Sequence, residues 1–145
     1  ACDSAQAAVN DAAIITTVTT ATTPTFADEW IKPGAHINGI GSYTPAMCEI
    51  PVATIKRADV IVFDTLAGVW KEAGDFLQPF ERDEISKADI TGELGQLVAG
   101  EINGRVNDQQ ITVFKSVGSA VLDVFVANQI VKKAQAQHLG TTVQL

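Results

Sequence analysis

Four short apolar runs separated by helical stretches predict an α/β fold, a parallel sheet built from βαβ crossovers with helices on both faces. The runs are residues 13–18, 35–40, 59–63 and 111–115, each nearly continuous in apolar or β-branched residues. Strands covered on both faces read this way, whereas strands with one face in water alternate. A second observation is size: 145 residues, 46% of them apolar, make one domain's worth of chain with a real core. A third is charge. A net charge of −7 argues against nucleic acid or an anionic membrane as partner. The apolar runs fall far short of the roughly 18 residues of a spanning helix.

Taken in order, Asp3 or Ser4 can cap a short helix through about Val9, ended by Asn10-Asp11. Residues 13–18 (Ala-Ile-Ile-Thr-Thr-Val) form the first strand. The threonine-rich turn at 19–25 is either a solvated loop or a hydroxyl-lined strand end facing a ligand. Residues 26–32 make a short helical turn before Pro33-Gly34, and 35–40 is the second strand. It ends in Gly39-Ile40-Gly41 and the polar loop Ser42-Tyr43-Thr44-Pro45. Ligands in open α/β sheets bind just beyond the carboxyl ends of strands, and glycines there let a flat ligand approach bare backbone. Gly-x-Gly-Ser is not the dinucleotide fingerprint, because Thr44 stands in place of its third glycine.

Residues 49–57 suit a short helix with Pro51 in its first turn, and 59–63 is the third strand, ending at Asp64. Thr65 caps a helix over 66–73, with Gly74 as its stop. Residues 75–88 read as charged and irregular. Asp89 caps a helix over 90–99, and 101–110 is a loop. The fourth strand, 111–115, leads through Ser116 into a long helix over about 117–137, closed by Gly140. Residues 141–145 are expected to be extended.

Walker A, HExxH, CxxC and GxSxG patterns are missing from the sequence, and Cys2 and Cys48 have no metal-binding spacing. Two isolated cysteines read as free thiols in a reducing cytoplasm. A nucleophilic Cys48 working with His36 is disfavoured, since His36 begins a strand at the end opposite the binding crevice. At Lys115-Ser116 the backbone could take a carboxamide or an anion, or Ser116 could simply cap the helix. Three strand ends carry small polar residues: Thr19-Thr20, Gly41-Ser42 and Lys115-Ser116. On one sheet edge they suggest a shared crevice.

These segments resemble the ornithine cyclodeaminase/mu-crystallin family of NAD(P)-dependent proteins. The resemblance rests on residues 14–19, 30–38, 41–49, 71–75, 92–95, 98–100 and 111–118, in one order over nearly the whole chain. It implies a Rossmann-like NAD(P)-binding domain present as a partial domain. Residues 1–118 correspond to its second half. Residues 119–145 correspond to the helix and tail that return to the substrate and dimerisation domain. The glycine-rich pyrophosphate loop and the residue choosing NAD or NADP have no counterpart here.

By resemblance, Thr19, Thr20 and Ala21 border the cofactor's ribose, and Ile40, Gly41 and Ser42 lie against the nicotinamide. Lys115 and Ser116 sit beside the carboxamide and substrate, and Glu93 faces the substrate cavity. Tyr43 occupies the position where cyclodeaminases and alanine dehydrogenases carry a proton-handling aspartate. Lys115 stands where those enzymes often have aspartate and mu-crystallin-like members have lysine. Tyr43 and Lys115 are therefore the candidate catalytic residues. A phenol, which titrates near 10 in free peptides, donates a hydrogen bond but is a poor base at neutral pH.

The implied activity is hydride transfer to a cyclic imino acid in a cytoplasmic homodimer or larger oligomer. Ornithine cyclodeaminase, alanine dehydrogenase and a non-enzymatic small-ligand-binding protein are the alternatives. In the family's strand order residues 13–18 are central, so here they are expected to form an unpaired edge.

Overall fold

The computed structural model describes residues 1–141 and 143. The expected final extended piece therefore falls mostly outside the described residues. Among them, five parallel strands form one sheet in the order β1-β2-β5-β3-β4. They are β1 (Ile14–Thr17), β2 (His36–Gly39), β3 (Val60–Phe63), β4 (Gly92–Glu93) and β5 (Thr112–Lys115). The helices are α1 (Ala5–Val9), α2 (Val52–Arg57), α3 (Leu66–Glu72), α4 (Gly74–Glu81), α5 (Leu94–Ala99) and α6 (Ala120–Ala136). As expected, β1 is the sheet's edge and pairs only with β2.

Period-2 alternation sorts each strand's side chains onto two faces. Ile15, Ile37, Val113, Ile61 and Phe63 point to one face and are buried there with Val9, Ile55, Val69 and Phe76 from the helices. Phe63 meets Trp70 edge-on at 5.7 Å between ring centroids and Phe76 at 4.7 Å, the arrangement that aromatic quadrupoles favour. On the other face, Ile14, His36, Asn38, Val60, Val62, Thr112 and Phe114 are joined by Leu94 and Leu97 of α5 and by Arg105. They leave a hollow of about 690 Å³.

His36 belongs to this open face and is held structurally. Arg105 donates to the Thr112 hydroxyl at 3.1 Å, and that oxygen lies 2.7 Å from His36 Nδ1. On its other side the ring's Nε2 lies 3.1 Å from Asn38 Oδ1.

The elements depart from expectation in three places. Gly74 does not merely stop α3; it begins α4, in a stretch expected to be irregular. A Cβ on Gly74 would strike the carbonyl oxygens of Met47 and Pro45, so glycine lets α4 seat against that loop despite Pro79 inside the helix. The helix expected over 90–99 starts only at Leu94. Gly92 adopts φ +155°, and Thr91 bonds to β3 through Thr91 N–H to Ile61 O at 2.8 Å, which draws the segment into the sheet. Asp89 caps the turn behind it, accepting from Ser86 N at 2.6 Å. Finally, α6 starts at Ala120, because Ser116 is bound to Asp64 rather than capping the helix. Among the described residues no helix is long and apolar enough to cross a membrane.

Candidate functional site

The parallel register aligns Thr17, Gly39, Lys115, Phe63 and Glu93 in one row across the sheet. Everything just beyond that row therefore opens on one edge, the carboxyl edge where ligands bind in such sheets. Thr19 and Thr20 are exposed there, Ala21 and Ile40 half-buried, Gly41 and Ser42 buried, and Tyr43 47% exposed. Ser116 and Glu93 are half-buried, and Lys115 is fully buried.

The turns at this edge are held by carboxylates. Glu49, fully buried, accepts from Thr19 N at 2.5 Å with Oε1, and from Gly41 N at 2.7 Å and Ser42 N at 3.1 Å with Oε2. Asp75, in the first turn of α4, accepts from Glu49 N at 2.6 Å and Ile50 N at 3.0 Å with Oδ1. Its Oδ2 lies 2.9 Å from Lys115 Nζ, both side chains being wholly buried. The two atoms touch as an ion pair without hydrogen-bond alignment, and neither has another partner among the described residues. The Ser42 hydroxyl donates to Met47 O at 3.0 Å and accepts from Asp75 N at 3.3 Å. Asp64, just past β3, accepts from Thr65 N at 2.6 Å, from the Ser116 hydroxyl at 2.7 Å and from Val117 N at 3.1 Å.

The sequence-derived candidates thus divide. Thr19, Thr20, Ile40, Tyr43 and Ser116 gather along the edge. Lys115 alternates with Phe114, so its side chain runs into the covered face beside Gly39 and ends on Asp75 instead of in the crevice. Glu93 accepts from Leu66 N at 2.6 Å, which ties its carboxylate to the start of α3. The fold itself requires glycine at 41, because a Cβ there would strike Thr19 N and Thr19 O. The thiol of Cys48 is pushed up to about 11 by burial first and by Asp75 second, so it is protonated and unreactive at neutral pH. Glu49, Asp75 and Asp64 were not singled out from sequence. Asp64 follows a strand end and Asp75 a glycine, a weak but usable signal, whereas Glu49 has neither beside it in the sequence.

An all-parallel sheet with glycine, hydroxyl and pinned turns gathered at its carboxyl edge is the ligand edge of a Rossmann-like α/β domain. More specifically, the chain belongs to the ornithine cyclodeaminase/mu-crystallin family, which it matches over residues 1–138. It is 40% identical over 137 residues to a Delta(1)-pyrroline-2-carboxylate reductase of Bacillus cereus, covering 94% of this chain and 42% of the relative. It is 41% identical over 129 residues to the ketimine reductase mu-crystallin of Rattus norvegicus, covering 89% and 38% respectively. Among solved structures it superposes with a TM-score of 0.90 on Thermococcus litoralis Delta(1)-pyrroline-2-carboxylate reductase in complex with NADH and L-proline. That match has 35% identity and covers 98% of this chain and 44% of that one. The chain thus spans less than half the length of these relatives.

Proposed function

We propose that the protein is an NAD(P)-dependent reductase of cyclic imino acids of the pyrroline-2-carboxylate or ketimine type. The observation that carries this reading is Tyr43, exposed on the rim immediately after the pinned Gly41-Ser42 turn, where deaminating members of the family carry a carboxylate. The names and bound ligands of the reductases above support it.

The residues present suit the nicotinamide end of a dinucleotide. Thr19, Thr20 and Ala21 offer hydroxyls and backbone on the ribose side. Ile40 offers an apolar surface to the ring, and Ser116 is assigned beside the carboxamide, its hydroxyl and the Val117 amide being committed to Asp64. When bound, the cofactor supplies the hydride. Tyr43 donates a hydrogen bond to the imino acid and fixes its orientation. Lys115 acts from beneath, neutralising Asp75 and so holding the turn that carries Tyr43. Glu93 sets the start of α3 at the far side of the crevice. We further infer a homodimer or higher oligomer, supported by the apolar surface of α6, and a cytoplasmic location, supported by the two free thiols.

The full-length protein, assayed with pyrroline-2-carboxylate under saturating NADH or NADPH and with ornithine under saturating NAD+ or NADP+, should reduce the imino acid and leave ornithine nearly untouched. Rapid formation of proline from ornithine would establish the cyclodeaminase alternative instead.

A further inference from the structure

Glu49 is wholly buried, yet it holds more of the crevice's backbone than any residue assigned a role above. The β1–β2 register ends at Thr17 and Gly39, and past it Ile40 N and Gly41 N both turn to Thr17 O, at 2.9 and 3.2 Å. Amides released from a ladder need new acceptors, and buried ones left bare are costly. Glu49 supplies them for both segments at once, through Thr19 N on one side and Ser42 N on the other, and it shares Gly41 N with Thr17 O. Glu49 is fixed in its turn. Its own N–H goes to Asp75, and its carbonyl accepts from Thr25 N at 2.9 Å and from the Thr25 hydroxyl at 3.2 Å. Through Asp75 the chain of contacts reaches Lys115 at the end of β5. Three strand ends are thereby locked to one another from the buried side, while Thr19 and Tyr43 keep their exposed sides free.

We propose that Glu49 is a positioning residue. It sets the spacing of Thr19 from Gly41-Ser42, the two segments between which the nicotinamide is seated, and so the distance over which hydride passes. This rests on the dinucleotide-dependent function proposed above. Both Glu49 oxygens serve only as acceptors. A glutamine of the same shape would turn an N–H₂ donor toward one set of amide donors, and the two segments would part there. Misplacement of reacting groups by about 1 Å costs on the order of 100-fold in rate.

The test uses the full-length protein with Glu49→Gln, pyrroline-2-carboxylate, and NADH carrying hydrogen or deuterium at the transferred position. Turnover per folded active site should fall by about 10- to 100-fold, with KM for the imino acid little changed. The deuterium isotope effect on kcat should rise above that of wild type, because hydride transfer becomes the slow step. A purely structural role would lower the melting temperature and the yield of folded enzyme. It would leave the isotope effect and the normalised kcat at wild-type values, and that result overturns the proposal. If Glu49→Gln does not fold, Glu49→Asp keeps the charge but is too short to reach Thr19 and Gly41 together, and the same outcomes apply.

If wild type binds NADH but reduces no imino acid, the substrate assignment fails by itself. Glu49 is then judged by the fluorescence of bound NADH. A changed emission with weaker binding in Glu49→Gln supports positioning, and identical spectra and affinity reject it. A wild-type protein that binds no dinucleotide defeats both proposals.

Discussion

Helices α4 and α6 each carry a phenylalanine on a strongly apolar surface, and the two residues meet opposite fates. Phe76 of α4 is fully buried, whereas Phe125 of α6 is 60% exposed. Helix α4 spans 8 residues, and four of them, Gly74, Asp75, Phe76 and Pro79, are buried. Helix α6 spans 17 residues and buries none. Apolar content does not separate them. Polar anchoring does: α4 enters through a glycine seated on loop carbonyls and through an aspartate that holds two amides and Lys115. Helix α6 follows Gly118, at φ +87° with open space around its Cβ position, and none of the helix's residues is buried. Its apolar residues Val121, Leu122, Val124, Phe125, Val126, Ile130 and Val131 run round the helix instead of forming one stripe. A helix of that kind is stable in water only when it is covered on several sides.

The contrast breaks most sharply at Lys115. Lys115→Met removes the cation paired with the buried Asp75 carboxylate, and losing one partner of a buried pair costs about 3–5 kcal/mol. The urea midpoint should drop accordingly, with an unchanged slope. A loss below about 1 kcal/mol, the worth of an exposed pair, would mean that water reaches the pair and that α4 is not anchored through it.

Cys48 reports on the same region without a mutation. Its thiol pKa is raised from 9.0 to about 11, mainly by burial and then by Asp75. At pH 8 a shift of that size leaves about 100-fold less thiolate than in an unshifted thiol. Iodoacetamide should therefore label exposed Cys2 well before Cys48, as peptide mapping would read. The sign for stability follows. A thiol whose folded pKa lies above its unfolded value favours the fold at pH below about 9, and this contribution is lost as the pH rises towards about 11. Equal labelling of the two cysteines would show that the Glu49–Asp75 region opens readily.

Gly41 comes next in size. Gly41→Ala brings a methyl group onto the backbone of Thr19, and overpacking of that kind costs about 1–3 kcal/mol. A stable Gly41→Ala protein that has lost only dinucleotide affinity would restore the expectation that Gly41 makes room for the ring.

What the sequence disclosed follows the same division. The parallel sheet, four of its strands and the crevice edge are legible, because continuous β-branched runs and glycine turns are local signals; the free edge of β1 follows from the family's strand order instead. The anchoring is not legible. Asp75 is read as part of a charged loop because its partners, Glu49, Ile50 and Lys115, lie 25 or more positions away, and its own neighbours Gly74 and Pro79 mimic helix breakers. Lys115 was placed in the crevice because its strand end is there. Only the register, which sets it opposite Gly39 and Phe63, turns its side chain to the covered face. Strand β4 escaped notice because its two residues join the sheet through Thr91 and not through any run of their own.

The smallest effect expected on folding is the one that tests α6. Phe125→Asp and Val121→Asp alter residues 60% and 75% exposed, so neither should change folding stability by more than about 0.5 kcal/mol. Their effect should appear in assembly. The 145-residue chain offers water an apolar helix and the open edge of β1, where Ile14 is 67% exposed. Exposed apolar patches and open edges of this kind recruit partners. Light scattering should therefore find the unaltered chain as dimers or larger species, and the doubly substituted chain shifted towards monomer with its unfolding midpoint unmoved. Substitutions that leave the mass unchanged would place self-association on the sheet edge alone. A midpoint that falls by several kcal/mol would show that α6 packs on the sheet in solution, and the contrast with α4 would then collapse.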